Sequence, residues 1–327
     1  MATLVTGGTG MLGSATAKRL HEAGDDVVML DKVHNEHYLK GRRIAFDDRL
    51  ELELVDLADL DAVTRVIRDR GIERIVHLAS AVSSVCNRDA LQGTVANCVG
   101  TANLFEAALR ADVKRIAMTS SSAVYPPGDD FTEHPDPGPV DAEEGGHPFS
   151  PLSPVYGAGK AYQEALARHY RQAFGMEIAG MRPLFMASAG RPSRPPLGIV
   201  SGEMIDAVAR GEAVVVPQGR SVVPWIYYQD VVTQLQTLLE APAEQLSKGP
   251  FFDTGALTVT VADIVDCLCE LVPDAQVELG DEKAELNLGN GKVASGDLFV
   301  KTFGVPREFD LRAGVAAQID EARNWGR

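Results

Sequence analysis

The chain has 327 residues, with 31 Lys or Arg against 46 Asp or Glu and a formal charge of −15. That balance argues against a nucleic-acid partner, whose binding rests on a basic surface. Hydrophobic residues make up 45% and charged residues 24%, which excludes disorder and collagen-like repetition. Apolar runs such as Ile116-Ala117-Met118 fall far short of the roughly 20 residues of a membrane span. A cytosolic address with no membrane partner is the expectation. The length suggests two domains or one large α/β domain with an elaboration. Cys86, Cys98, Cys267 and Cys269 form no CxxC pair and have no His at zinc-ligand spacing, so they read as reduced packing residues. No metal site is expected; His34 and His37, three apart in a charged stretch, read as a solvated face.

In chain order, Ala2 to Thr6 is β-prone, Met11 to Ala23 has helical spacing and Asp26 to Leu30 is again strand-like, which makes a βαβ unit. Leu52 to Val55 (strand), Asp59 to Arg70 (helix), Arg74 to Leu78 (strand), Thr94 to Ala111 (helix) and Arg115 to Thr119 (strand) continue the alternation. Such alternation predicts an α/β fold, a doubly wound parallel (Rossmann) sheet, with a smaller C-terminal substrate-binding region. From Gly128 to Pro154 the composition turns to Pro, Gly, Asp and Glu, a long loop before a helix beginning near Val155. Residues 1–180 are read as the dinucleotide-binding domain, with later returns near 212–235 and 250–255, and 181–327 as mainly substrate-binding.

Between the first strand and first helix stands Thr6-Gly7-Gly8-Thr9-Gly10-Met11-Leu12-Gly13. Gly7, Gly10 and Gly13, with Met11 and Leu12 opening the helix, let a pyrophosphate approach the backbone and the free N–H groups of a helix N-terminus. The next strand ends at Asp31, where a carboxylate accepts both hydroxyls of an adenosine ribose and repels a 2′-phosphate. NAD is therefore favoured over NADP.

On these residues the chain resembles the extended short-chain dehydrogenase/reductases, the NAD-dependent epimerase/dehydratase family. The resemblance continues in order through Asp56-Leu57, His77-Leu78-Ala79-Ser80-Ala81, Asn97 with Gly100-Thr101, Ser120 to Tyr125, Tyr156-Gly157-Ala158-Gly159-Lys160 and Arg182-Pro183. It implies that Asp56 and Leu57 touch the adenine, that Leu78, Ala79, Ser80 and Ala81 line the ribose and nicotinamide side, and that Pro183 borders the nicotinamide. Asn97 counts with the cofactor-binding residues.

Tyr156 and Lys160 lie four apart, on one face of a helix. An ammonium close by favours the phenolate, so Tyr156 is the expected base, while Lys160 also holds the nicotinamide ribose. Ser121, four before Tyr125, matches the family's catalytic hydroxyl and donates to the substrate oxygen; Ser122 is the runner-up and a substrate-side residue. Dehydratases of the family place Asp and Glu directly after that hydroxyl, but here Ser122 and Ala123 follow, which excludes dehydration.

Past Arg182 the resemblance loosens. Nucleotide-sugar enzymes of the family carry Asn three after the residue matching Arg182, Arg at the position of Val223 and another Arg before the C-terminal helices. This chain has Phe185, Val223 and no arginine between Arg220 and Arg307. The expectation is an NAD-dependent oxidoreductase acting on a secondary alcohol of a small sugar-like or hydroxy-acid substrate, with a nucleotide-sugar epimerase as the alternative. Arg191 and Arg194 offer guanidinium forks for an anion, and Ser83, Ser84 and Tyr227 complete the expected substrate side. Helices Thr94 to Ala111 and Val155 to Phe174 are rich in Ala and Leu; in the family this pair packs across a two-fold axis, which implies a homodimer.

Overall fold

Strands joined through helices pair in parallel, and a parallel sheet needs apolar residues on both faces. The computed structural model describes residues 1–125, 153–192, 200, 202–247, 249–283 and 295–326. Its strands are β1 (Ala2–Thr6), β2 (Asp26–Asp31), β3 (Leu50–Leu54), β4 (Arg74–His77), β5 (Arg115–Thr119) and β6 (Glu177–Arg182), then β7 (Phe185–Ala187), β8 (Val214–Val216) and β9 (Val222–Tyr227), and last β10 (Phe251–Asp253), β11 (Leu257–Thr260) and β12 (Val277–Leu279). Seven of them form one sheet in the order β10-β6-β5-β4-β1-β2-β3, every neighbouring pair parallel. The order reverses between β1 and β4, and the crevice beyond the strand ends at such a reversal is where this architecture binds ligands.

The helices of the first half are α1 (Met11–Glu22), α2 (Glu36–Gly41), α3 (Leu60–Asp69), α4 (Ser83–Arg88), α5 (Ala90–Thr94) and α6 (Gly100–Arg110), then α7 (Pro154–Phe174). The second half adds α8 (Glu203–Ala209), α9 (Tyr228–Glu240), α10 (Ala243–Leu246), α11 (Val261–Leu271), α12 (Asp297–Phe303) and α13 (Leu311–Arg323). Alternate strand residues feed two cores. Leu4, Ile116, Met118 and Ile178 pack with Val63, Val66 and Ile67 of α3 and Leu104 and Phe105 of α6. Val5, Ala117, Ala179 and Met181 pack with Ala17 and Leu20 of α1 and Val231, Leu235 and Leu238 of α9. The i, i+3, i+4 spacing in α3 puts its apolar side chains on one stripe, and Asp59 caps it by accepting the Ala62 N–H at 2.9 Å.

Local departures from the sequence reading have local causes. The third strand runs Leu50–Leu54, starting two residues and ending one residue earlier than expected. The helix expected from Thr94 is preceded by α5 and opens as a π-helical turn, Val95–Val99, before α6. Short polar α2 and α4 lacked an apolar period long enough to declare them. Most of the expected 128–154 loop lies outside the described residues; Pro154 begins α7, where its fixed φ suits the first helical position. In the 212–235 stretch, β8 pairs with β12 and β9 lies between β7 and β11, in small sheets of their own. A third core, around Trp225, Met204, Ile264 and Val315, lies beneath them.

Candidate active site

The loop after β1 is shaped for a pyrophosphate. Gly7 has φ +67°, and a Cβ there would stand 2.6 Å from the Ala79 nitrogen. A Cβ on Gly13 would stand 1.9 Å from the Gly7 carbonyl oxygen, whereas one on Gly10 would meet only that oxygen, at 3.2 Å. Gly7 and Gly13 thus close the backbone on itself, and Gly10 leaves the space in front of α1 open. Gly10 caps α1 without a side-chain hydrogen bond, and no acid lies in the first turn, so the N–H groups of this half-buried start at Met11 and Leu12 suit an anion. At the end of β2, Asp31 Oδ2 accepts from the Thr9 N–H (3.1 Å) and hydroxyl (2.8 Å). Oδ1 takes one long bond from the Val33 N–H, 3.4 Å. Thr9 therefore fixes the carboxylate and leaves one oxygen for ribose hydroxyls. Asp56 is exposed with Oδ1 on the Ala58 N–H, and Leu57 is built into the core. These features fit an NAD molecule laid across β1, β2 and β4.

The loop after β4 is held from behind. Asn97, in the π turn, accepts the Ala81 N–H at 2.7 Å and the Ser80 hydroxyl at 3.1 Å, and donates to the Ala81 carbonyl at 2.9 Å. Its buried side chain is thereby spent on the loop. It positions Ser80 and Ala81. His77, buried beneath this loop, lies between Thr6 (2.7 Å) and Thr101 (3.0 Å). The Thr101 hydroxyl donates to the Asn97 carbonyl, so Nε2 of His77 carries the proton and Nδ1 accepts from Thr6. Burial, with the charge of Lys160, pulls His77 down to about 3, which keeps it neutral. Thr6 in turn accepts the Leu78 and Ala79 N–H groups, both at 3.3 Å.

Tyr156 and Lys160 come from the first turns of α7. Ser121 leaves β5 with extended backbone, accepts the Ala123 N–H at 3.1 Å and is hydrogen-bonded to the Tyr156 phenol. Burial pushes the phenol up, while the Ser121 bond and the Arg191 guanidinium work against it. Lys160, 2% exposed, donates from Nζ to the Thr119 carbonyl at 2.9 Å and stands 5.9 Å from the Tyr156 ring centroid. Burial pulls Lys160 down to about 8, opposed by Cys86 and Glu164. The phenol thus carries the Ser121 bond and the Arg191 charge in addition to the neighbouring ammonium that the sequence pointed to. Ser122 donates its N–H to the carbonyl of buried Pro183 at 3.2 Å, which ties the serine turn to the chain leaving β6.

On the substrate side, Arg191 acts electrostatically on Tyr156, lies with its guanidinium 5.7 Å from the Phe185 ring centroid and donates to the Met186 carbonyl. Ser83 and Ser84 open α4, whose Ser83 carbonyl accepts from Ser153 at the head of α7 (3.5 Å). Arg194 lies outside the described residues. Tyr227 is not brought to this site: it is buried, donates to Glu321 of α13 at 3.1 Å and packs against Tyr228 and Phe309. It joins a cluster in which Arg42 pairs with Glu321. Val223 is fully buried, its register partner Val259. Sequence reading quoted Thr9 and Thr101 without giving them a role and passed over Glu164; the last was within reach, because it continues the four-residue spacing from Tyr156 through Lys160.

Comparisons agree with this geometry. The model of the NAD dependent epimerase/dehydratase family matches residues 3–251. A protein of Methanocaldococcus jannaschii, provisionally named a UDP-glucose 4-epimerase, is 27% identical over an alignment of 333 residues covering 99% of each chain. Among solved structures, the holo form of a GalE-like L-threonine dehydrogenase from Cupriavidus necator aligns with a TM-score of 0.80 at 20% identity, over 98% of this chain and 99% of that one. A UDP-glucose 4-epimerase from Thermus thermophilus, in complex with NAD, aligns with a TM-score of 0.76 at 21% identity over 99% of each. These two likenesses establish a shared fold.

Proposed function

From the premise that the chain belongs to the NAD dependent epimerase/dehydratase family and is an NAD-dependent enzyme, we propose that it oxidises a secondary alcohol of a small polar substrate, a sugar acid, polyol or hydroxy acid. The observation that carries this choice is what stands at the positions where nucleotide-sugar enzymes keep their anchors. Val223, where nucleotide-sugar enzymes carry an Arg, is core, and Phe185, in place of their Asn, lies beneath Arg191. A diphosphate brings two charges that need partners, whereas one carboxylate needs a single guanidinium.

In the proposed reaction Ser121 and Tyr156 together receive the substrate hydroxyl. Tyr156 takes the alcohol proton, Ser121 donates to the oxygen as charge develops, and Lys160 holds the ribose on the nicotinamide side. Bound NAD supplies the hydride acceptor. Because burial holds the phenol high, the base form gains population as pH rises, so oxidation is expected to accelerate from neutral to mildly alkaline pH. Ser83, Ser84 and Ser122 are the proposed hydroxyl partners of the substrate, with Arg191 for its anion and Arg194 as a second candidate.

Replacing Tyr156 by Phe tests the chemistry: turnover is expected to fall at least ~100-fold, the scale of general-base catalysis, with NAD still bound. A variant reducing NAD at the wild-type rate overturns the assignment. NADH formation across aldonic acids, uronic acids, polyols, hydroxy acids and UDP-sugars tests the substrate. Turnover of free acids or polyols, with KM raised by Arg191→Ala, supports the reading. The second reading, a nucleotide-sugar epimerase, is favoured by the Methanocaldococcus jannaschii relative, and conversion confined to UDP-sugars without net NADH selects it.

A homodimer through α6 and α7 is proposed on the apolar side chains these helices and their neighbours expose: Leu91 (74%), Val99 (44%), Tyr162 and Phe174. Four free cysteines support a reducing, cytosolic address.

A further inference from the structure

One turn beyond Lys160 on α7, a carboxylate is buried where the chemistry proposed above does not use it. Glu164, 4% exposed, accepts the Ser120 hydroxyl at 2.6 Å and a bidentate pair from Arg182, Nε to Oε1 at 2.8 Å and Nη2 to Oε2 at 2.7 Å. Half-exposed Arg168 adds a longer contact at 3.5 Å. Arg182, 1% exposed, donates its remaining fork to the Tyr125 hydroxyl at 3.0 Å, and that hydroxyl donates to Asp253 at 2.7 Å. A buried ion pair of this kind is weak evidence for stability, since apolar side chains of similar volume often serve as well. Its position suggests another use.

The groups around Lys160 narrow that use. Tyr156 and Glu164 share its helix, Cys86 faces it from α4, His77 from β4 and the Thr119 carbonyl from β5. Burial keeps the Cys86 thiol up and His77 down, so both are uncharged near neutral pH. Among the described residues, Glu164 is left as the anion acting on Lys160. We propose that Glu164 is a positioning residue of the reaction: anchored by Arg182 and Ser120, its carboxylate holds buried Lys160 in the ammonium form below Tyr156. Arg182 and Ser120 keep the carboxylate in place, and the ammonium keeps its three N–H donors for Thr119 and the cofactor side.

This inference rests on the reading of Tyr156 and Lys160 as the reacting pair, and the test separates the two. In cofactor-free protein labelled at lysine Cε, the Lys160 titration midpoint is expected to fall by about one pH unit in Glu164→Gln. The alkaline limb of kcat/KM moves down with it, giving a loss of about tenfold above the new midpoint. The double variant Glu164→Gln/Arg182→Met removes the ion pair as a unit, Asp253 keeping the Tyr125 hydroxyl, and is expected to shift in the same direction, so it carries the test if the single variant fails to fold. An unchanged midpoint in the folded variant, with only a uniform loss of rate or a lower Tm, overturns the proposal. Tyr156→Phe that kept its turnover would instead overturn the reacting pair while leaving the Lys160 midpoint informative.

Discussion

Gly10 and Gly13 lie three residues apart and tolerate a side chain very differently. Gly13→Ala drives a Cβ to 1.9 Å from the Gly7 oxygen, so the loop must open; a lower Tm and loss of NAD binding are expected together. Gly10→Ala meets that oxygen at 3.2 Å and fills the space kept for the pyrophosphate. Its cofactor-free Tm is expected to stay near wild type while NAD affinity drops about tenfold, some 1.4 kcal/mol, and calorimetry that found equal losses of Tm in both variants would contradict this division. Asp31→Ala, read by kcat/KM, is expected to weaken NAD and narrow its lead over NADP; wild-type enzyme that turned NADP over equally well would count against the role of Asp31. Residues of this kind were legible because their chemistry is local: a glycine spacing, a carboxylate at a strand end, a Tyr and Lys one turn apart. Tyr227 misled for the opposite reason, since its hydroxyl is claimed by Glu321 on a helix 94 residues away.

Elements carry functions that no single residue advertises. The π turn Val95–Val99 turns Asn97 toward Ala81 while its carbonyl takes Gln163 at 2.9 Å and Thr101 at 2.8 Å, consistent with the tendency of such turns to occur at functional sites. Asn97→Ala is expected to cost about 1–3 kcal/mol, as partners are left unpaired, and to raise the Kd for NAD by freeing the β4 loop. An α9 residue sets a pH response. Asp230, 3% exposed, accepts the Glu308 N–H at 2.7 Å through Oδ1, the Phe309 N–H also acting on the carboxylate, while among the described residues no hydrogen bond reaches Oδ2. Burial raises its pKa to about 6. The folded state therefore holds this proton longer than the unfolded chain. Stability falls as pH rises from about 4 to about 6, by at most roughly 3 kcal/mol, and is flat above. Asp230→Asn, with its amide at the unpartnered position, is expected to remove that slope in urea titrations; an unaltered slope would exclude Asp230 as its source. The helical face of α7 was readable from Tyr156, Lys160 and Glu164, but the partner Arg182 arrives from β6 and only the fold supplies it.

At the scale of the molecule, the proposed dimer is open to a direct test. Sedimentation of the 35.0 kDa chain is expected to give twice that mass at micromolar concentration, and Val99→Asp, a charge on an exposed apolar position, is expected to return it to a monomer with activity per chain read separately. A wild-type monomer would remove the four-helix interface. The large sheet was visible in the alternation of the first 120 residues and in Phe251 to Gly255, whereas the small sheets and the seating of α11 and α13 around Trp225 join segments far apart in the chain, which only the fold supplies. The sheet order has a consequence for synthesis. β6 is an open edge until β10 arrives, and an unpaired strand edge invites pairing with other chains. Ribosomes add roughly 5–20 residues per second, so the stretch from Arg182 to Phe251 leaves that edge bare for on the order of several seconds. Asp253, the last residue of β10, then closes onto Tyr125. The nascent chain thus makes the Tyr125–Asp253 contact in the same step that covers its open β6 edge.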